Sequence, residues 1–184
     1  MAKKMKNRRY RKTEEAILSV FFDESKKGST LQRMAKRAGV GRSTMYIHHH
    51  AVREVLPDYE RYILTEYRIF IQKRLQIKNI SLKVLYFDML TFILRRKKIF
   101  VMFLRFEDRK MLTRMLGVLE EKTRIFMRLP KETEKVLKIY KSEIIQLVFE
   151  WGKRGFSNKE IEKVLADIMY LTETARDRLM PINE

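Results

Sequence analysis

The sequence predicts an all-α protein in which an N-terminal three-helix, helix-turn-helix unit is followed by a larger helical unit. Three observations support this fold class. Only three prolines and six glycines punctuate 184 residues, too few for the turns of a many-stranded sheet. Lys, Glu, Arg, Leu and Met are frequent, and their unbranched side chains lose little rotamer freedom in a helix. Apolar residues recur every three or four positions rather than alternating, and at 45% of the chain they suffice for a buried core.

In chain order, Ala16, Ile17, Val20 and Phe21 predict a helix over 13–26, with Glu14 and Glu15 near its positive end. A second, short helix is expected over 31–38. Either Ser29, in a capping box with Gln32, or Thr30 could satisfy its free N–H groups. Gly39 supplies a tight turn and a third helix begins near Arg42, the spacing of a helix-turn-helix. Residues 1–50 are thus read as one domain and 51–184 as another. In the second, Ile63, Tyr67, Phe70 and Ile71 form a stripe on a fourth helix, which begins close to Arg53 or bends at Pro57. Leu82, Leu85, Met89 and Ile93 mark a fifth, 99–104 a short buried one, and Met111, Met115, Val118 and Leu119 another that stops before Pro130. Two amphipathic helices close the pattern, separated by Gly152 and Gly155, with Ser157 and Glu160 spaced as a capping box.

Charge narrows the function. The 41 Lys and Arg against 23 Asp and Glu give +18, a field that attracts polyanions such as nucleic acid or anionic lipid. Residues 1–50 hold 13 basic and 4 acidic residues, a net +9, so positive charge is densest there. Seven of the ten residues from Lys3 to Lys12 are basic, and self-repulsion predicts a mobile arm until a polyanion meets it.

The segment from Thr30 to His49, TLQRMAKRAGVGRSTMYIHH, combines apolar Leu31 and Met34, small Ala35 and Ala38, the turn Gly39-Val40, and Arg42-Ser43-Thr44 followed by Tyr46. Met34, Ala35, Ala38, Val40 and Met45 can form a small core, leaving Arg42, Ser43, Tyr46 and His48 able to project outward. This segment resembles the DNA-binding domain of the tetracycline-repressor (TetR) family of transcriptional regulators. The resemblance covers about residues 13–56, and the remainder only in helical layout. Gly41 stands where Ser is common in that family, Met45 and His49 where Phe is usual, and Ile47 where a polar residue is frequent.

The resemblance implies a transcriptional regulator, most often a repressor, reading a palindromic operator on double-stranded DNA. Arg42 is the first choice for base readout, because Arg can pair with both acceptors of guanine. Thr30, Lys36, Thr44, Tyr46 and His50 are placed by the resemblance at phosphates, where hydroxyls and cations set register without reading sequence. It also implies a homodimer through the last two helices. Their stripes are Leu137, Tyr140, Ile144, Leu147 and Trp151 on one, and Ile161, Leu165, Ile168, Thr172 and Ala175 on the other; burial within one subunit is the alternative. A small-molecule effector pocket among the middle helices is further implied, with Tyr86, Asp88, Thr91, Arg95, Arg105 and Tyr140 as candidate polar lining.

Other classes are disfavoured. There is no cysteine, hence no disulfide framework or thiolate site. His48, His49 and His50 are the only histidines, and successive helical residues point about 100° apart, so the three do not converge on a metal. His49 is expected in an aromatic core position. Neither H-E-x-x-H, G-x-S-x-G nor a P-loop occurs, so neither catalysis nor a cofactor is expected. No apolar run reaches the roughly 20 residues of a membrane span, and the basic N-terminus leads into no signal-peptide core; a cytoplasmic protein is expected. The alternative is a basic helical protein that binds RNA or an anionic membrane surface through charge alone.

Overall fold

A computed structural model of the chain describes residues 8–25, 30–104, 109–127 and 131–179. Among them are nine α-helices, two short 3-10 turns and no strand. The chain divides into two compact units, Met1–Thr65 and Glu66–Glu184. The division falls inside the fourth helix, whereas composition and motif place it at residue 50.

In the first unit, α1 spans Arg8–Ser25. It therefore begins inside the basic run, where charge repulsion alone predicts a loose arm; residues 1–7 lie outside the described residues. Tertiary contacts explain the difference. Tyr10, in the first turn, stacks on the His48 ring at 4.1 Å and 17°. Thr13, expected at the helix start, donates its hydroxyl to the Arg9 carbonyl at 3.1 Å, as helix-interior threonines do. Helix α2 (Leu31–Arg37) is capped by Thr30, whose hydroxyl accepts from the Arg33 N–H at 3.3 Å. Ser29, the other candidate cap, lies outside the described residues. Gly39 takes φ +64°, and the Val40 N–H reaches back to the Ala35 carbonyl at 2.9 Å, closing the helix end. Helix α3 is Arg42–His48. The helices pack α1 on α2 and α2 on α3. Ile17, Leu18, Phe21, Leu31, Met34, Ala35 and Met45 are buried between them.

A 3-10 turn at Val52–Glu54 leads into α4 (Val55–Leu75). Pro57 is in the first turn of α4, where no N–H is required, so the helix starts there instead of bending.

The second unit holds α5 (Leu82–Leu94), α6 (Lys97–Leu104), α7 (Lys110–Met127), α8 (Lys131–Lys153) and α9 (Ile161–Leu179). Ser81 caps α5, accepting from the Val84 N–H at 3.3 Å. Helix α8 is central: it packs on α6, α7 and α9, and α9 also packs on α5. Leu85, Met89, Ile93, Phe100, Phe103 and Met115 join Ile144, Val148, Trp151, Val164 and Ile168 in the core. No helix among the described residues is long and apolar enough to cross a membrane.

The α8–α9 junction departs from the sequence reading. Gly152 is inside α8, not in the connection; a Cβ there would stand 2.0 Å from Leu104 Cδ1 and 2.7 Å from Phe156 Cζ, so only glycine admits these side chains. Gly155 and Phe156 make the turn, with φ of +80° and +51°. The second is costly for an L-residue, about 1–2 kcal/mol, and full burial of the Phe156 ring, edge-on to Trp151 at 4.9 Å, offsets it. The capping box at Ser157 does not form. Its carbonyl accepts from Trp151 Nε1 at 2.9 Å, and Glu160 accepts instead from Arg154 Nε at 2.9 Å.

Most described residues of the α8 and α9 stripes are covered within the single chain, the alternative to a dimer interface. Ile144, Trp151, Ile161, Leu165, Ile168 and Thr172 are buried within the single chain, while Tyr140 and Leu147 are half-buried. The side chains of Leu137 and Ala175 lie outside the described residues. An apolar stripe buries against whatever apolar surface reaches it first, and here that surface comes from the same chain.

Candidate nucleic-acid interface

Helix α3 is short and has two distinct faces. At about 100° per residue, Arg42, Tyr46, Ser43 and Ile47 fall within an arc of roughly 140°, and all four are exposed. The Arg42 guanidinium lies 5.9 Å from the Tyr46 ring centroid, a loose cation–π contact that leaves its N–H donors free to point outward. Met45 is on the opposite side and fully buried. Thr44 is half-buried at the edge, and Thr30, Lys36 and His50 are exposed. The His50 backbone N–H is held by Glu54 Oε2 at 3.1 Å, which leaves its imidazole unengaged by this contact.

His48 does not belong to the outward face, contrary to its assignment as a DNA contact. Its side chain is 5% exposed, with Nδ1 bonded to Glu14 Oε1, 34 residues away, and the ring covered by Tyr10. His49 is buried, as expected for its core position, yet it lies in a polar cluster. Its Nδ1 is 3.1 Å from Asp58 Oδ2, and its Nε2 is 3.3 Å from Glu14 Oε2 without hydrogen-bond alignment. Arg61 in turn pairs with Asp58. The cluster ties α1, the end of α3 and α4 together.

Burial would raise the Glu14 carboxyl, but bonding and charge from His48 and His49 overcome this and hold it at about 2. Burial would lower His49, and the Glu14 and Asp58 carboxylates outweigh it and raise it above 6.5. Burial, helped by Glu14, pushes the Tyr10 phenol up to about 12. No local sequence signal marks this cluster, because its members are far apart along the chain. The one available hint was a pair of polar residues, Glu14 and His49, at positions whose helical spacing points inward.

This inward bonding also shapes the surface. Among acidic residues of the first unit whose side chains are described, Glu14 and Glu60 are buried and Glu54 and Asp58 half-buried, leaving Glu15 exposed. Arg9, Lys12, Arg33, Lys36, Arg37 and Arg42 are all exposed. On α1–α3, burial of Glu14 leaves Glu15 as the exposed acidic side chain among those described, beside these six exposed cations.

Of the six residues suggested for an effector pocket, the five that are described are not brought to one point. On α5, Asp88 and Thr91 share a side, while Tyr86 projects roughly 140–200° away from them around the helix. Tyr86 is buried, and burial, with Glu120 nearby, raises its phenol strongly. Asp88 is engaged by Arg74 Nε at 2.5 Å. Arg95 is exposed at the end of α5, Tyr140 is half-buried, and Arg105 lies outside the described residues. Two buried hydroxyls in this unit, Tyr67 Oη and Thr91 Oγ1, have no hydrogen-bond partner among the described residues.

Compared with protein-family models, curated proteins and solved structures, the chain matches none.

Proposed function

We propose that this protein is a sequence-specific DNA-binding regulator, with α2 and α3 acting as a helix-turn-helix and α3 entering the major groove. One observation carries the reading. Arg42, Ser43, Tyr46 and Ile47 share the exposed arc of α3, whose other side is fixed by Met45, His48 and His49. A groove-reading helix needs that division, since base edges must be met by free side chains on a rigid support. The flanking cations, with Thr30 and His50, suit phosphate contacts that set register. The same sequence features that resemble the TetR family support this reading, and it makes no use of a catalytic group.

Reading a palindrome requires two copies, with heads about 34–36 Å apart. The half-buried Tyr140 and Leu147 of α8 are the described stripe residues left for contact with a second copy through the last two helices. An effector in the second unit belongs to the same proposal, supported by the unpartnered Tyr67 and Thr91 hydroxyls, which burial leaves in need of a polar contact.

Selection of bound duplexes from a random pool tests the reading. A consensus is expected, palindromic if two copies bind. Arg42→Ala should cost about 1–3 kcal/mol in discrimination at one base pair, and Tyr46→Ala should weaken binding, both with unchanged helical circular dichroism. If both bind the selected duplex as the parent does, α3 is not the reading helix. Binding that vanishes under non-specific duplex and moderate salt would favour charge-only attachment to RNA or an anionic surface.

A further inference from the structure

Ile47 is 64% exposed on α3, and Tyr46 beside it 42%. They are the large apolar side chains left exposed in the first unit among its described residues. A single exposed isoleucine needs no explanation. Its position does: Ile47 stands on the same arc as Arg42 and Ser43, in a unit that exposes Arg9, Lys12, Arg33, Lys36 and Arg37 as well, where a water-facing apolar group gains nothing. A polyanion would cover this surface, and among its groups phosphates and sugars offer no apolar partner of matching size. In the major groove the C5-methyl of thymine is the apolar feature, and aliphatic side chains pack on it.

Resting on the reading of α3 as the groove helix, we propose that Ile47 is a specificity-determining residue that recognises the 5-methyl group of a thymine in the bound sequence. Arg42, five residues earlier and on the other flank of the arc, then addresses a different base pair. Specificity at the Ile47 position comes from apolar contact and lacks the hydrogen-bond component that a polar residue would supply. The recognised chemistry is a methyl on a major-groove pyrimidine edge, so 5-methylcytosine presents the same group in a G·C pair.

The test starts from the consensus obtained by random-pool selection with the full chain. Each thymine is replaced in turn by deoxyuridine, which removes the methyl and keeps pairing and the O4 acceptor. One position per recognition site should lose about fourfold in affinity, the worth of one buried methyl-sized group. At that position, 5-methylcytosine should bind more tightly than cytosine by a similar factor. In Ile47→Ala both differences should disappear, while sensitivity to the base pair read by Arg42 persists. The proposal is overturned if no deoxyuridine substitution matters, or if the loss is the same in Ile47→Ala. It is equally overturned if Ile47→Ala changes self-association but not DNA affinity, which would assign the side chain to a protein contact. A pool that yields no consensus at all would instead remove the premise, and is thereby distinguishable from failure at Ile47 alone.

Discussion

His49 Nε2 faces Glu14 Oε2 at 3.3 Å, so an imidazole at the end of α3 and a carboxylate on α1 meet inside the core of the first unit. Asp58 of α4 approaches the other ring nitrogen at 3.1 Å, and His48 takes the second Glu14 oxygen. Charged groups in such a place are stable only as a set, since each one's desolvation is offset by the others.

Stability should therefore depend on pH in two windows. Glu14 is held near 2 against 4.5 in an unfolded chain, so its contribution is present above pH 4.5 and is lost as pH falls towards 2. His49 is raised above 6.5, so its contribution is present below pH 6.5 and is lost as pH rises through the folded value. Urea unfolding of the first unit, followed by circular dichroism from pH 3 to 9, should give greatest stability from these two groups between about 4.5 and 6.5. A flat profile would show that the cluster is not ionised in this way.

Glu14→Leu should destabilise the first unit by about 3–5 kcal/mol, because the two imidazoles lose their buried counter-charge. Glu14→Leu combined with His49→Phe should recover much of that loss, since an apolar pair then occupies the same space. Additive effects of the two changes would argue against direct coupling.

Gly152→Ala should cost about 1–3 kcal/mol in the second unit, its methyl colliding with Leu104 and Phe156. Pairing it with Leu104→Ala should cost less than the sum of the two single changes, as measured by thermal unfolding.

Trp151→Phe removes the donor to the Ser157 carbonyl and should cost about 1–3 kcal/mol. In the parent protein, tryptophan emission should be blue-shifted and quenched little by iodide, because the single Trp151 is fully buried. Solvent-exposed emission in the native state would contradict the α8–α9 packing.

Local signals were readable and long-range ones were not. Thr30, Gly39 and Arg42 revealed α2, its turn and α3, because caps and turns act over a few residues. The start of α1 is not legible in the same way: charge repulsion within the run is a local effect, but the Tyr10–His48 stack that overrides it spans the unit. At Ser157 the capping pattern was present, yet Glu160 had a competing partner in Arg154 that spacing alone does not reveal. Periodicity displayed the α8 and α9 stripes but is silent on whose surface covers them. On α3, the outward placement of Arg42, Ser43 and Tyr46 is legible in the sequence, and the inward placement of His48 is not, because its partner lies on another helix.

Helix α3 has only seven residues, well short of the roughly 12–15 that an isolated helix needs to be even marginally populated in water. Its shape is therefore borrowed from α1, α2 and α4, and it has no independent persistence. Amide exchange along α3 should report the opening free energy of the whole first unit. Any grip it has on a ligand draws on the same reserve, so warming that opens the first unit would loosen that grip.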